Sequence, residues 1–185
     1  MADTNTVARS LHDLGLAAWY GGSLMGAVGL NGASAEVREP SQRSRVANAG
    51  WDRWTPVNLA GIAAHLVGGV GLTLGNKGRL AGQQGVAGTS AAKAAVTAAA
   101  LGATAYSRAL GRRISDAGDV PVEGGTTPAS DTPPEVADAQ KKLAMLQWAI
   151  PALTGVLLVL GARMGEQQRP PSVLEGLTRR LLPGN

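Results

Sequence analysis

Four titratable residues are the members of this sequence whose types are best suited to chemistry. They are His12, Asp13, His65 and Lys93, and each lies within or beside a long apolar segment. An imidazole exchanges protons near neutral pH, whereas a carboxylate and an ammonium can pair or bind ions. Inside a hydrocarbon layer such groups are costly and commonly mark ligand or ion pathways. These four residues are therefore the candidate site.

The apolar segments that hold them are long enough to cross a membrane. A transmembrane helix needs about 20 largely apolar residues. Three segments contain such a window without any charge, and a fourth contains only Lys93. A soluble bundle would instead show polar residues at a period of 3.6. We predict an all-α fold, an integral membrane four-helix bundle with spans at about residues 13–35, 55–76, 85–107 and 143–163.

The depth of each titratable group follows from its place in these spans. With about 1.5 Å of rise per residue, Lys93 lies about 10 Å deep, on the side that holds both termini. Asp13 lies near that interface, and His65 lies near mid-membrane. The hypothesis is an ion pair between Asp13 and Lys93, with His12 nearby. As alternatives, Lys93 snorkels to the headgroups, Asp13 only stabilises the first helical turn, and His65 only bonds a neighbouring helix.

Cofactors and metals are not expected. The predicted depths of His12 and His65 differ by roughly 12 Å, which argues against shared haem or zinc ligation. The chain has no cysteine and no nucleophile-elbow, phosphate-loop or zinc-protease motif. We expect no enzymatic activity, with a lipid-modifying enzyme that uses His12 and Asp13 as the remaining catalytic alternative.

Glycine is concentrated inside the apolar segments. There are 26 glycines in 185 residues. Membrane helices associate where small residues let their backbones approach, so we predict a small-residue packing seam. Whether it packs within one chain or between chains stays open. The glycines assigned to it are Gly22, Gly26, Gly68, Gly71, Gly75 and Gly102.

The connecting segments are polar. Residues 114–140 are acidic and rich in Pro, Gly and Thr, which predicts a mobile, solvated loop. Residues 1–165 form the membrane domain. Residues 166–185 place leucines opposite arginines and predict an amphipathic tail helix at the interface or on a partner. The predicted interfacial anchors are Trp51, Trp54, Tyr106 and Trp148.

Charge restricts partners and orientation. The 17 Lys and Arg outnumber the 13 Asp and Glu without clustering, which excludes a nucleic-acid surface and favours membrane lipids as partners. The first and third loops hold nine basic residues and the terminal side holds seven, which slightly favours both termini outside the cytoplasm of a bacterial cell. A cleaved signal ending at Ala33-Ser34-Ala35 is an alternative, disfavoured by the length of the apolar run and by Asp13.

The stretch "HDLGLAAWYGG" from His12 to Gly22 resembles the opening of small, uncharacterised four-span membrane proteins of high-GC Gram-positive bacteria. The resemblance implies the four-span architecture and no known activity, so no residue role follows from it. We expect a structural or accessory subunit of a membrane assembly, with a protein partner or further copies of itself. The alternative is a small transporter or channel component with a polar path through Asp13, His65 and Lys93.

Overall fold

The computed structural model describes residues 5–78 and 85–166, and their fold is all-α with four long helical rods. The first rod runs without a break through three consecutive pieces, since the backbone at each junction stays helical. The elements are α1 (Thr6–Met25), a π-helical segment (Gly26–Leu30), α2 (Asn31–Ala35), α3 (Pro40–Gly75), α4 (Val86–Asp116), strands β1 (Val122–Gly124) and β2 (Thr127–Pro128), and α5 (Pro134–Glu166). The predicted tail at 166–185 lies outside the described residues, apart from its first residue.

Local sequence sets several helix ends. Pro40 is the first residue of α3, where a missing backbone N–H removes no helical hydrogen bond. Gly85 precedes α4 with a φ of 85°, a left-handed conformation that suits glycine. Each of the four rods extends beyond the apolar window from which it was predicted, because the charged flanking residues also continue the helix.

Two of the described helices, α3 and α5, are long and apolar enough to cross a membrane. Length and composition alone are weak evidence, since the core helix of a soluble protein meets the same criteria. Such a core helix is mostly buried, however. Here only 22% of the apolar window of α3 and 33% of that of α5 is buried. Most residues of both windows are therefore not fully buried.

The rods pack as two antiparallel pairs. In one pair α1 packs on α3, and in the other α4 packs on α5. The pairs meet mainly where α1 contacts α5, whereas α3 and α4 contact each other little. The main core at this junction consists of Leu16, Trp19, Ile62, Ala100, Ile150 and Leu157.

Glycines set the close approach of α1 to α3. A Cβ on Gly15 would collide with the backbone of Gly61 and His65, and a Cβ on Gly68 would collide with the backbone of Ala8 and His12. At both glycines the backbones of the two helices are in direct contact, which fixes the relative register of α1 and α3.

The predicted packing glycines divide into two groups. Gly22 and Gly26 seat the rings of Trp54 and Trp51, respectively, so these two tryptophans pack between helices. Gly68, Gly71 and Gly75 lie against the first turns of α1 or the residue before it.

Gly102 differs from the other predicted packing glycines. A Cβ there would meet no atom within 4 Å. The buried line of α4 passes instead through Val96, Ala100 and Ala103, because those side chains face the core. The small-residue pattern on α4 therefore marks an outward face of the described chain and not a packing seam within it.

The segment 114–140 differs most from its prediction as one loop. Helix α4 continues to Asp116, and α5 begins at Pro134. Between them β1 and β2 form an antiparallel hairpin, with Val122 opposite Pro128. Val122 is fully buried, and this hairpin packs on α2, α3 and α5. The segment therefore caps the end of the bundle.

Polar side chains from three helices hold the hairpin backbone. Arg43 donates hydrogen bonds to the carbonyl oxygens of Val122 and Glu123, each at 3.3 Å. The Gln140 amide donates to Gly124 O at 3.0 Å. The Gly125 N–H donates to the Ser34 hydroxyl at 3.2 Å. Each of these bonds pairs a backbone N–H or C=O group of the hairpin with a helix side chain. The connection between α4 and α5 is therefore an ordered part of the fold.

Candidate functional site

A cavity of about 500 Å³ lies between the helices at the end opposite the hairpin. This is the end where α1 and α4 begin and where α3 and α5 finish. Its polar lining includes Arg9, His12, Asp13, His65 and Lys93. Most other lining residues are apolar, so a small set of polar groups is presented inside an apolar enclosure.

His12 and His65 are joined by two reciprocal hydrogen bonds. His12 Nδ1 lies 2.8 Å from His65 O, and His65 Nδ1 lies 3.0 Å from His12 O. The two rings stack with centroids 4.0 Å apart and planes inclined by 20°. A carbonyl oxygen only accepts, so each Nδ1 carries the hydrogen. Each imidazole therefore presents its Nε2 as an acceptor.

Lys93 joins α4 to this pair. Its Nζ lies 2.7 Å from His12 Nε2 and donates to it. An ammonium carries three N–H groups, so further donors remain for another acceptor. The contact places a positive charge beside a neutral imidazole at the cavity wall.

His65 retains an unused acceptor. Its ring is almost fully buried and lies edge-on to Trp19, with centroids 6.3 Å apart. Within residues 5–78 and 85–166, no side chain or backbone group bonds its Nε2. Because His65 lines the cavity, this nitrogen is placed to accept a hydrogen bond from a molecule inside it.

The structure brings together three of the four predicted site residues and corrects the predicted pairing. Asp13 lines the cavity but forms no ion pair with Lys93 among the described residues. His12 takes that position instead. Consecutive residues on a helix point about 100° apart, so Asp13 turns away from the face that carries His12.

The predicted separation of His12 and His65 in depth is also corrected, since their rings are stacked. Helix α1 begins at Thr6, before the predicted span, and the contact of Gly68 with Ala8 fixes the register. The depth difference thus gives no argument against shared ligation. His12 Nε2 is nevertheless engaged by Lys93, and the described chain contains no group of three His, Cys, Asp or Glu suited to a metal ion.

Sequence reasoning overlooked Gly15 and Trp19. His12, Gly15, Trp19 and Gly22 follow one another at intervals of three and four residues, which places them on one face of a helix. That face packs on α3. The spacing was visible in the sequence and is the signal that identifies both residues.

The inner end of the cavity meets the apolar core. Trp19 lies seven residues beyond His12, about 10 Å further along α1, and it is fully buried. Leu16 and Ile62 pack with it. The indole N–H of Trp19 donates to the Thr104 hydroxyl at 3.1 Å, so this donor is already used.

Comparison with family models, curated proteins and solved structures finds no match to this chain. The function of the site is therefore considered from its geometry and chemistry.

Proposed function

We propose that this chain is an integral membrane protein with four spans that binds a small membrane-resident molecule in its cavity. It acts as a binding or accessory subunit and not as an enzyme. The observation that carries the proposal is the cavity of about 500 Å³ with Lys93, His12 and His65 at its wall. Small-molecule sites commonly have volumes of about 300–1,000 Å³, mostly apolar walls and few polar groups.

The outer surface supports the membrane location. Large apolar side chains project outward from α1, α3 and α5, and a soluble monomer rarely exposes so continuous an apolar surface. Lipid contact would remove this surface from water. Six examples, each between 60% and 75% exposed, are Val7, Leu14, Leu59, Val67, Met145 and Val159.

The core beyond the cavity favours a pocket over a channel. A path through Asp13, His65 and Lys93 would have to continue past the fully buried ring of Trp19, whose N–H is already bonded to Thr104 at 3.1 Å. Ion transport would therefore require this core to open. A closed inner end is what a binding pocket needs.

The geometry also favours binding over catalysis by His12 and Asp13. A general base needs a free lone pair within hydrogen-bond reach of the proton that it takes. His12 Nδ1 is oriented by His65 O, and its Nε2 is bonded to Lys93. The carboxylate of Asp13 therefore does not orient this imidazole.

A protein partner or a second copy of the chain remains part of the proposal. The glycine seam is used within the chain, where Gly22 and Gly68 pack between α1 and α3. Any partner would therefore contact another surface. Among the described residues, the outward surface of α4 around Gly102 is available for such a contact.

Native mass spectrometry of the protein from gently solubilised membranes tests the proposal. The wild type should retain one small non-covalent ligand, and the same spectra report the mass of any larger assembly. Ala94→Trp should lose the ligand, because Ala94 lines the cavity. Ala95→Trp is the matched control, since Ala95 is also exposed on α4 but does not line the cavity. Equal ligand retention by the two variants would contradict the proposed site.

A further inference from the structure

The cavity holds a positive charge without a matching carboxylate. The described polar partner of the Lys93 ammonium is the neutral His12 Nε2 at 2.7 Å. No described carboxylate lies within 4.0 Å of its Nζ. Arg9 and Asp13 also line the cavity and offset each other in formal charge. A charge in apolar surroundings gains most from an anion placed directly against it.

The apolar walls continue away from this charge. Leu66 and Val70 on α3 and Ala98 and Leu101 on α4 all line the cavity. Helices α3 and α4 contact each other little, so these walls lead to the apolar outer surface of the bundle. An acyl chain from the surrounding lipid fits such a surface, whereas a free inorganic anion would leave it uncovered.

Besides an anionic group for Lys93 and an apolar chain for the walls, the ligand needs a hydrogen-bond donor for the free acceptor of His65. Its Nε2 needs a donor, whereas the ammonium of Lys93 needs an acceptor. Both groups lie next to His12. The His65 ring stacks on it with centroids 4.0 Å apart, and the Lys93 ammonium bonds its Nε2 at 2.7 Å. A phosphate monoester meets both needs as its monoanion, which keeps one O–H and predominates below its second pKa of about 6. A carboxylate supplies acceptors only.

We propose that the cavity binds a lipid phosphate monoester. Its anionic oxygens accept hydrogen bonds from Lys93, its O–H donates to His65 Nε2, and its chain lies between α3 and α4. This inference rests on the proposed function, since it names the ligand of the same cavity.

Binding of dodecyl phosphate to the purified full chain, in a neutral detergent at about pH 5.5 where the monoanion predominates, tests this ligand class. Native mass spectrometry should detect one bound molecule. Lys93→Met should weaken binding at least about tenfold, the effect expected from loss of one charge-assisted hydrogen bond. Lys93→Arg should restore most of the affinity, which shows that the charge and not the fold was lost. Lys142→Met is the control, because Lys142 is exposed and pairs with Asp138 at 2.7 Å.

Three comparison compounds decide between related ligands. Dodecanol, dodecanoate and inorganic phosphate should each bind at least tenfold more weakly than dodecyl phosphate. Equal binding of dodecanol would overturn the role of charge, and equal binding of dodecanoate would overturn the role of the O–H. Equal binding of inorganic phosphate would overturn the proposed role of the alkyl chain.

Different results would contradict the proposed binding site and the proposed class of ligand. If Ala94→Trp and Ala95→Trp retain the native ligand equally well, the cavity is not the site and both proposals fail. If Ala94→Trp alone loses the native ligand but Lys93→Met binds dodecyl phosphate as the wild type does, only the phosphate assignment fails.

Discussion

His12 and His65 each donate a side-chain hydrogen bond to the backbone carbonyl of the other, at 2.8 and 3.0 Å. The pair therefore ties α1 to α3 by two bonds that both need the same register. Glycines at positions 15 and 68 permit this register, because they leave room for the opposing backbone. The histidine pair and the glycine contacts between α1 and α3 therefore depend on the same helix register.

Substitution of the two histidines should show their coupling. His12→Ala and His65→Ala should each lower the free energy of unfolding by about 1–3 kcal/mol, because each removes a buried hydrogen bond and half of the ring stack. The double variant should lose less than the sum, by about 0.5 kcal/mol or more. Denaturant unfolding in detergent measures the cycle. Strict additivity would mean that the rings do not interact.

Glycine-to-alanine substitutions should change the free energy of unfolding in opposite directions at two groups of positions. Gly68→Ala should destabilise the protein by about 1–3 kcal/mol, since its Cβ would meet the backbone of Ala8 and His12. Gly88→Ala and Gly102→Ala should stabilise it by about 0.5–1 kcal/mol, because open space surrounds both and alanine favours the helix. Thermal unfolding of the three variants gives the comparison. Destabilisation at Gly102 would place a packing partner on α4.

The hairpin should depend on Arg43. Arg43→Ala removes the guanidinium that bonds three carbonyl oxygens, of Val37, Val122 and Glu123. Protease cleavage within residues 117–133 should become several times faster. Arg45→Ala is the control, because its ion pair with Asp119 is long, at 3.5 Å, and exposed. Similar cleavage rates for both variants would show that Arg43 does not hold the hairpin.

The ion pair of Asp52 with Arg108 joins α3 to α4 near the capped end, at 2.6 Å. Its side chains are 55% and 33% exposed, so its contribution is expected to be below about 1 kcal/mol. Asp52→Arg should lower the melting temperature slightly, and the exchange with Arg108→Asp should restore it. If the exchange does not restore stability, the two residues act separately.

The sequence predicts the helices well because their signal is local. Four apolar stretches of span length became four helical rods. The alternation of helix direction was enough to place His65 and Lys93 at the same end of the bundle. These inferences need only length, composition and chain order.

The sequence does not predict the register of α1 against α3. Depth was counted from the edges of the apolar windows, whereas the real register depends on where Gly15 and Gly68 let the backbones meet. This is why His12 and His65 were expected roughly 12 Å apart in depth and are stacked instead. The hairpin was overlooked for a similar reason. Its partners Ser34 and Arg43 lie about 80–90 residues away in sequence.

The most direct test of the account is the accessibility of single cysteines in intact membranes, since the natural chain contains none. Val67→Cys and Val159→Cys lie on outward apolar faces, whereas Arg45→Cys lies on the exposed capped end. In open membrane sheets, we expect a membrane-impermeant maleimide to label the cysteine at position 45 and to leave those at positions 67 and 159 unlabelled. Rapid labelling of all three, together with release of the protein by alkaline carbonate, would contradict the membrane location and the proposals that rest on it.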